Sequence, residues 1–361
     1  MENKIDNSRK FFIDNIRSVT VIIVVIYHVI YLFNSVGVPK TIGIDGIPAF
    51  DLFCYPVYPW FMTIMFLLAG MSARYALQKR NEKYFIKGRI QKLLIPLVGG
   101  MFLLAWVNGW VTNQYVDIFE GNNVPAIVKY FIYCLMIGPL WFNLELFIAS
   151  LVLLLFRKVD KRERFLEITG KINIIGLFLL VIPFWGSSFL FNVPLITTFR
   201  NGIYLFTFLV GYYVFSNEKI IQALVRMKFI TLVIAIILGI IETYYFYGKN
   251  FTNDDCLQHP LTNVYAWIMM MAILGFSKKY FDITNYFLHY IRSRSFYWYL
   301  CHYPIMAFSA YFLTSHFKLP MIYNYILVLI IGFGLTILFC EIIKIIPILR
   351  YLLFGIKNKN K

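Results

Sequence analysis

About ten long stretches of apolar residues constrain the fold of this sequence more than any other feature. An α-helix needs about 20 apolar residues to cross about 30 Å of hydrocarbon, and each stretch approaches or exceeds that length. They lie at residues 16–34, 52–73, 93–112, 138–156, 172–190, 201–216, 229–247, 261–276, 296–313 and 321–343. We therefore predict an all-α, polytopic integral membrane protein with about ten transmembrane helices, forming a single domain over residues 1–361.

The composition agrees with this class and excludes others. Hydrophobic residues make up 60% of the chain and charged residues only 14%, against about 25% charged residues in a typical soluble protein. A water-soluble surface cannot be covered with so few charges, and disordered or disulfide-rich secreted chains have other compositions. The first stretch has a basic flank but no small-residue cleavage site after it, so we predict a retained helix rather than a signal peptide.

The positive charges indicate an orientation. A formal net charge of +16 is typical either of nucleic-acid binding or of basic cytoplasmic loops, and the apolar composition favours the loops. Of the 34 Lys and Arg residues, 29 fall at residues 1–17, 74–92, 157–171, 217–228, 277–295 and 344–361. The others are Lys40, Lys129, Arg200, Lys249 and Lys318. We predict that both termini and the basic segments are cytoplasmic, and that the chain binds membrane lipids and no nucleic acid.

Ionisable residues inside a bilayer are costly and therefore mark candidate functional sites. The predicted helices contain His28, Glu145, Glu242, His302 and Glu341. Glu242 and Glu341 lie near helix ends, where their carboxylates can reach the interface, which favours a structural role. The other three remain candidates for chemistry.

The first predicted helix, FFIDNIRSVTVIIVVIYHVIYLF, carries polar residues at two levels. Arg17 and His28 are nearly three turns apart, which places both on one face, about 16 Å apart along the axis. Asp14 can hold the guanidinium of Arg17 in an i, i+3 ion pair. The pattern predicts a cationic anchor at the cytoplasmic mouth and an imidazole deep in the membrane. An interfacial ion pair beside a packed histidine is equally compatible with it.

A second cluster is the basic segment KGRIQKLLIP, in which Arg89 and Lys92 open the third predicted helix and Pro96 follows. Arg and Lys at the cytoplasmic end of a helix suit phosphate groups. Membrane topology alone explains most of the charge here, so phosphate binding stays one of two interpretations.

Two aromatic segments complete the set of motifs. GPLWFNLELF places Trp141, Asn143 and Glu145 near the outer end of the fourth predicted helix, and SFYWYLCHYPI places His302 in the ninth, before Pro304. A single histidine within the membrane is more often packed and hydrogen-bonded than catalytic, so a structural role for His302 stays open.

The cysteines predict neither a disulfide nor a metal site. The five of them show no C-x-x-C spacing, and most lie in or beside apolar runs, where Cys behaves as a small hydrophobe. Cys256 lies beside Asp254, Asp255 and His259, but the spacing matches no recognised ligand set, which favours a solvated loop.

Together, FFIDNIR with its R-x10-H spacing, WFMTIMFLLAGMSARYAL, KGRIQKLLIP, GPLWFNLELF and SFYWYLCHYPI resemble the membrane acyltransferase-3 family. They span most of the chain in the family's order. The resemblance is greatest to the glucan-modifying branch, typified by osmoregulated periplasmic glucan succinyltransferases. It implies a multi-pass enzyme of the bacterial inner membrane that moves an acetyl or succinyl group from acyl-CoA to a hydroxyl of a glycan or lipid-linked sugar, with polysaccharide biosynthesis machinery as a further partner.

The resemblance also implies roles for individual residues. His28 corresponds to the family's catalytic histidine, Arg17 to its motif arginine, and Arg89 to a basic position near the CoA donor. Lys92 stands where Arg is common, which keeps the charge but loses the bidentate fork, and Glu145 is single where some branches carry a pair. Asp14, Glu145 and His302 are further catalytic candidates, and Trp141 and Asn143 are candidates for acceptor binding.

Elementary chemistry agrees with these roles. Acyl transfer from a thioester to a hydroxyl needs a base, and neutral imidazole suits that task near pH 7. The cations Arg17, Arg89 and Lys92 would hold the CoA phosphates, and an apolar bundle would limit hydrolysis. His28 can act as a general base or carry the acyl group itself. A transporter or flippase of a glycan or lipid-linked sugar is the alternative, and a structural subunit of a polysaccharide synthase is a third.

Overall fold

The computed structural model describes residues 10–160, 162–194 and 198–357, and these residues are mostly helical. Two short strands, β1 (Asn192–Pro194) and β2 (Thr198–Arg200), pair antiparallel. The helical segments are α1 (Phe11–Leu32), α2 (Pro48–Lys79), α3 (Glu82–Thr112), α4 (Ala126–Cys134), α5 (Gly138–Val159), α6 (Arg164–Thr169), α7 (Ile174–Ser187), α8 (Asn201–Phe215), α9 (Glu218–Phe246), α10 (Asp254–Leu257), α11 (Pro260–Tyr280), α12 (Tyr286–His316), α13 (Met321–Ile345) and α14 (Pro347–Phe354).

The predicted all-α, polytopic class is confirmed, and each predicted span falls on one helical segment. Seven helices within the described part of the chain are long and apolar enough to cross a membrane: α1, α2, α3, α5, α9, α11 and α13. The helices α7 and α8 are apolar but shorter. The last of the ten helices that carry a predicted span is α12. It has 31 residues, and Arg292, Arg294 and His302 reduce its apolar character.

Two helices begin well before their predicted spans. The helix α9 starts at Glu218 and α12 at Tyr286, each about three turns earlier than the apolar pattern suggests. Asn217 and Asn285 precede them, and each side-chain oxygen accepts a backbone N–H of the first turn. Apolar residues mark only the part of a helix that lies in hydrocarbon, whereas the helix itself begins where a capping residue satisfies its free N–H groups.

The helix α3 also starts earlier than predicted, so Arg89 and Lys92 lie inside it rather than at its start. Residues Ile90–Leu94 form a π-helical turn immediately before Pro96. Proline lacks an N–H and its ring clashes with the carbonyl one turn earlier, and a wider turn relieves that conflict. The chain therefore continues through the proline as one helical segment.

Ion pairs join several of the segments predicted to be cytoplasmic. Lys10 Nζ lies 2.7 Å from Glu218 Oε2, Lys278 Nζ lies 3.7 Å from Glu218 Oε1, and Arg157 Nε lies 3.0 Å from Glu82 Oε1. These segments therefore meet at one end of the helix bundle, which we call the basic end. Lys and Arg residues at positions 1–9, 161 and 358–361 lie outside the described residues.

The helix α1 is held against α12 and the segment before it. The Oγ atoms of Ser18 and Ser295 are 3.2 Å apart, and the Asn15 amide donates to the carbonyl oxygens of Phe281 (2.6 Å) and Ile283 (3.0 Å). Polar contacts between apolar helices fix their relative rotation. These hydrogen bonds therefore determine which face of α1 packs against α12 and the segment before it.

The helices α2 and α8 cross at two glycines. A Cβ atom on Gly70 would overlap the carbonyl oxygen of Phe208, and one on Gly211 would overlap that of Leu67. Small residues allow two helix backbones to approach closely within a membrane. Only glycine fits at this crossing, which supports one wall of the cavity described below.

We expect Gly70→Val to destabilise the protein by about 1–3 kcal/mol, because the added side chain separates the two helices. Thermal unfolding of the detergent-solubilised protein measures this loss as a lower midpoint. Gly334→Val is the matched control, since a Cβ atom on Gly334 meets open space. Equal midpoints for the two variants would show that the crossing does not require glycine.

Candidate functional site: a cavity around a histidine pair

A cavity of about 430 Å³ lies toward the end of the bundle opposite the basic end. This volume is in the usual range for small-molecule sites. Polar groups on its wall come from His28, Lys40, Thr41, Asn108, Thr112 and Thr252. Its aromatic residues are Tyr27, Tyr31, Tyr58, Phe61, Trp141, Tyr204, Tyr299 and Tyr303. The site is thus a largely aromatic chamber with few polar groups, one of which is an imidazole.

His28 on α1 is hydrogen-bonded to His302 on α12. The distance from His302 Nε2 to His28 Nδ1 is 3.1 Å, and the ring centroids are 4.9 Å apart. His302 is completely buried, and its Nδ1 lies 2.8 Å from the Tyr299 carbonyl oxygen and 3.1 Å from that of Trp298. The two histidines that the sequence nominated separately therefore form one unit.

The hydrogen bonds determine which nitrogen of each ring carries the proton. A charge inside a membrane is costly, so both rings are neutral. Carbonyl oxygens only accept, so His302 Nδ1 is the donor and its Nε2 accepts from His28 Nδ1–H. The same His28 hydrogen also faces the Val24 carbonyl oxygen at 2.8 Å. His28 Nε2 therefore keeps its lone pair, on a ring that lines the cavity.

A loop between α1 and α2 covers part of the cavity. The Tyr303 hydroxyl lies 2.7 Å from Thr41 Oγ1, and the Tyr31 hydroxyl donates to the Pro39 carbonyl oxygen. Within the loop, the Asn34 side chain donates to the Val38 carbonyl oxygen and accepts the Val38 N–H, both at 3.0 Å. These bonds order the loop and fix the positions of two cavity tyrosines.

Three nearly parallel aromatic rings pack together beside the cavity. The Tyr204 ring centroid lies 4.6 Å from that of Phe66 and 5.2 Å from that of Trp141, and those of Phe66 and Trp141 are 6.3 Å apart, so the three form a triangle. The rings come from α2, α5 and α8. Trp141 and Tyr204 line the cavity, and aromatic side chains at a cavity wall suit a ligand that has an apolar side.

The other end of α1 carries a group of cations. Arg17 donates to Asp14 Oδ1 (3.2 Å) and to Ser72 Oγ (3.0 Å). The Arg89 guanidinium carbon lies 4.8 Å from the centre of the Phe85 ring. Lys92 has Arg80, Arg89 and Arg17 as electrostatic neighbours. Arg17, Arg89 and Lys92 are thus electrostatic neighbours, and no described carboxylate is paired with Arg89 or Lys92.

Comparison with known proteins identifies the family of the chain. A family model described as an acyltransferase domain matches residues 10–344. The chain belongs to the acyltransferase-3 family. Glucans biosynthesis protein C of Salmonella typhi and that of Salmonella typhimurium are each 21% identical to it over 371 residues, covering 96% of this chain and 95% of theirs. No solved structure matches the chain significantly.

Membership of the acyltransferase-3 family and the apolar helices make the chain a multi-pass membrane acyltransferase. Its predicted site residues fall into three groups. His28, His302 and Trp141 lie at or beside the cavity, whereas Asp14, Arg17, Arg89 and Lys92 lie near the basic end. Asn143 and Glu145 are buried on α5 and do not line the cavity.

Asn143 and Glu145 show that a position close to Trp141 in the sequence does not by itself place a side chain at the cavity. Asn143 is two residues from Trp141 and therefore lies on nearly the opposite face of the helix. It is fully buried, and neither amide atom has a hydrogen-bond partner among the described residues. Glu145 is one turn deeper than Trp141 and 8% exposed. Their proposed roles in catalysis and acceptor binding stay predictions.

The other ionisable groups within the helices have structural partners. Glu242 accepts from Thr262 Oγ1 at 2.8 Å. Glu341 lies 2.7 Å from Arg294 and 2.9 Å from Lys344. The five cysteines are buried free thiols, and the described residues contain no group of three or more potential ligands that could hold a metal ion.

Sequence reasoning missed most of the cavity wall. Tyr27 and Tyr31 flank His28 on α1, and Tyr303 follows His302. Their closeness to the histidines in the sequence could therefore have predicted that they line the site. No pattern in the sequence singles out Tyr58 or Tyr204. They reach the cavity only through the packing of α2 against α8.

Proposed function

We propose that this acyltransferase moves an acetyl or succinyl group from acyl-CoA to a hydroxyl of a cell-surface or exported glycan. The observation that carries the proposal is the hydrogen bond between His28 Nδ1 and His302 Nε2, on a His28 ring that lines an aromatic cavity, because it leaves a lone pair on His28 Nε2. Neutral imidazole in this state can accept the proton of an acceptor hydroxyl. The aromatic wall provides surfaces on which a sugar ring can stack.

In the direct mechanism, the acceptor hydroxyl attacks the thioester carbonyl carbon while its proton passes to His28 Nε2. The tetrahedral intermediate then expels the CoA thiolate, which takes the proton back from His28. In the relay mechanism, His28 Nε2 itself attacks the thioester carbonyl carbon, and the C–S bond breaks to release the CoA thiolate. The acceptor hydroxyl then attacks the acyl-imidazole, the bond from the acyl carbon to Nε2 breaks, and the hydroxyl proton passes to the thiolate. Both routes use the same nitrogen, so both depend on the hydrogen bonds from His28 Nδ1 to His302 Nε2 and to the Val24 carbonyl oxygen, which keep the proton on Nδ1.

The cluster at the basic end would bind the phosphates of CoA. Arg17 lies about 16 Å along α1 from His28 and has Arg89 and Lys92 of α3 as electrostatic neighbours. The long pantetheine arm could bridge this distance, with its phosphates at these cations. In this arrangement the basic end faces the cytoplasm, where acyl-CoA is made, and the protein lies in the bacterial inner membrane. The acceptor enters from the opposite side as a glycan or lipid-linked sugar.

The printed names of the relatives refer to glucan biosynthesis, which supports a glycan as acceptor. Polysaccharide biosynthesis machinery would then deliver the acceptor or remove the product. Neither interaction requires nucleic acid or a metal.

The decisive experiment measures the incorporation of labelled acetyl or succinyl from its CoA ester into glycan. The purified protein is reconstituted in vesicles, with empty vesicles as the control. Transfer by the protein supports an acyltransferase that uses CoA esters. Sugar flux across the vesicle membrane without transfer from any CoA ester would instead indicate the transporter or flippase.

We expect the double variant Arg89→Gln, Lys92→Gln to raise KM for acyl-CoA by about 10-fold for each charge removed, with little change in kcat, because each charge-assisted bond to phosphate contributes about 1.5–3 kcal/mol. Steady-state kinetics with varied acyl-CoA measures this. The control is Lys158→Gln, Lys171→Gln, which removes two exposed charges from the same end. An equal rise in KM for the control would indicate general attraction rather than a specific site.

A further inference from the structure

Asn108 on α3 has an unsatisfied hydrogen-bond acceptor. The residue lines the cavity, and only 3% of it is exposed. Its Nδ2 donates to the Met136 carbonyl oxygen at 3.1 Å, and its Oδ1 receives no hydrogen bond from any described residue. A carbonyl oxygen only accepts, so the contact with Met136 also establishes which branch of the amide is the nitrogen. Oδ1 is therefore an acceptor that lacks a donor.

The amide of Asn108 lies among other residues of the cavity wall. A Cβ atom on Gly138 would stand 3.0 Å from Asn108 Nδ2 and 3.1 Å from Tyr303 Cδ1. Met136, Gly138 and Tyr303 all line the cavity. The Tyr303 ring centroid is 5.0 Å from that of His28. Direct neighbours thus join the amide to the imidazole within one wall.

Other buried polar atoms without a partner lie elsewhere. Among the side chains that the structure describes, Asn108 is the only one with such an atom that also lines this cavity. A buried acceptor without a donor costs free energy, and a donor group on a ligand would remove that cost. The cavity is therefore suited to a ligand that donates a hydrogen bond at this point.

The position of Asn108 along the bundle indicates which substrate supplies the donor. Both α1 and α3 start at the basic end, where Lys10 and Glu82 form ion pairs. His28 is about 27 Å along α1 from Lys10, whereas Asn108 is about 39 Å along α3 from Glu82. Asn108 therefore lies farther from the basic end than His28 does.

This depth favours the acceptor as the donor of the hydrogen bond. In the proposed function, CoA reaches His28 from the basic end, so its pantetheine amides lie on the near side of His28. At neutral pH, neither an acetyl nor a succinyl group carries a hydrogen-bond donor. The hydroxyl groups of a sugar, which both donate and accept, are the donors expected on the far side.

We propose that Asn108 Oδ1 accepts a hydrogen bond from a hydroxyl group of the acceptor and makes the cavity selective for polyhydroxylated ligands such as a hexose. The inference rests on the proposed function, in which the acceptor is a glycan or lipid-linked sugar. One hydroxyl group is held by Asn108 while another reaches His28 Nε2. Asn108 thereby helps to determine which hydroxyl group receives the acyl group.

Binding of a simple hexose tests the proposal without acyl transfer. Thermal unfolding of the full-length protein in nanodiscs is followed against increasing methyl glucoside and against its monodeoxy analogues. We expect methyl glucoside to raise the midpoint of the wild type. At least one monodeoxy analogue should need about tenfold higher concentration for the same shift, because Oδ1 then stays unpaired. In Asn108→Leu, that analogue and methyl glucoside should act at equal concentrations, since the coupling between the two groups is lost.

Two further variants make this comparison specific. Asn108→Asp keeps an oxygen acceptor, and its carboxyl group is neutral because a charge within the membrane is costly, so the discrimination should persist. Asn324→Leu should discriminate as the wild type does. Asn324 on α13 is equally buried and its Oδ1 also lacks a donor among the described residues, but it does not line the cavity.

If Asn108→Leu does not fold, Asn108→Ala takes its place in the comparison. The proposal is overturned if methyl glucoside does not stabilise the wild type. It is also overturned if the folded Asn108 variant without an amide distinguishes the analogues as strongly as the wild type does.

Transfer kinetics then separate the acceptor from the CoA arm as the source of the donor. We expect Asn108→Leu to raise KM for the glycan acceptor by about tenfold and to leave KM for acyl-CoA unchanged. The opposite result would assign the donor to an amide N–H of pantetheine and overturn the proposal. Failure of every CoA ester in the wild type would reject the proposed function, whereas the binding of methyl glucoside through Asn108 would stand separately.

Discussion

Replacing His28 by alanine is expected to reduce kcat for acyl transfer by about 10²–10⁴-fold, the usual contribution of a positioned general base. The loss follows from the geometry, since His28 Nε2 is the nitrogen of the histidine pair that keeps a lone pair at the cavity. Initial rates with a labelled CoA ester and a saturating glycan acceptor measure the effect.

The matched control is His316→Ala. His316 also lies on α12, is exposed, and contacts the Phe312 carbonyl oxygen of its own helix at 3.0 Å. Its removal should leave the rate within a factor of about two, as for a surface substitution. Wild-type transfer by a folded His28→Ala protein would reject both the general-base and the relay mechanism.

The two mechanisms differ in what accumulates without acceptor. An acyl-imidazole at His28 would appear by mass spectrometry after brief incubation with the CoA ester alone, and it would be absent in His28→Ala. Direct transfer requires the acceptor before the thioester can react, apart from slow hydrolysis.

His302→Phe is expected to reduce kcat by about 10–100-fold, the range found when a partner that orients a functional histidine is removed. Phenylalanine fills the buried space but cannot accept the hydrogen of His28 Nδ1. Only the Val24 carbonyl oxygen, at 2.8 Å, would then accept this hydrogen, so the orientation and tautomer of the imidazole would be fixed less firmly. KM for both substrates should change little, because His302 does not line the cavity.

His302→Gln distinguishes this positioning role from simple packing. A glutamine oxygen can replace Nε2 as the acceptor, so we expect kcat of His302→Gln to be several-fold higher than that of His302→Phe. If phenylalanine and glutamine gave the same rate, the hydrogen bond would have no part in catalysis. Melting curves of both variants establish that the comparison is made on folded protein.

Much of the fold was predictable because hydrocarbon imposes a strong rule. Apolar length predicted every major helix, and the distribution of Lys and Arg predicted which segments meet at the basic end. Helix ends were less predictable, since α9 and α12 begin at asparagine caps outside the apolar core. Pro96 did not end α3, because a π-helical turn precedes it.

The candidate site was predictable only in part. Motifs and the cost of polarity within a membrane nominated His28 and His302, but no local pattern predicts a hydrogen bond between residues 274 positions apart. The cost of an ionisable group within the membrane also made Glu145 a candidate, but Glu145 does not line the cavity. This cost identifies residues that need a polar environment and does not indicate the direction in which their side chains point. Asn108 is uncharged and lies in none of the motifs, so nothing in the sequence placed it at the cavity.

The histidine pair also limits where a proton can go. Beyond His302 Nδ1, the hydrogen bonds end at the carbonyl oxygens of Trp298 and Tyr299. A backbone carbonyl does not take up a proton, and no described side chain extends the series further. A proton that His28 Nε2 accepts therefore does not pass on through His302, and in the proposed direct mechanism it goes to the departing thiolate. On the direct route, turnover moves an acyl group without net charge through this pair, so the histidines do not couple the reaction to the electrical potential across the membrane.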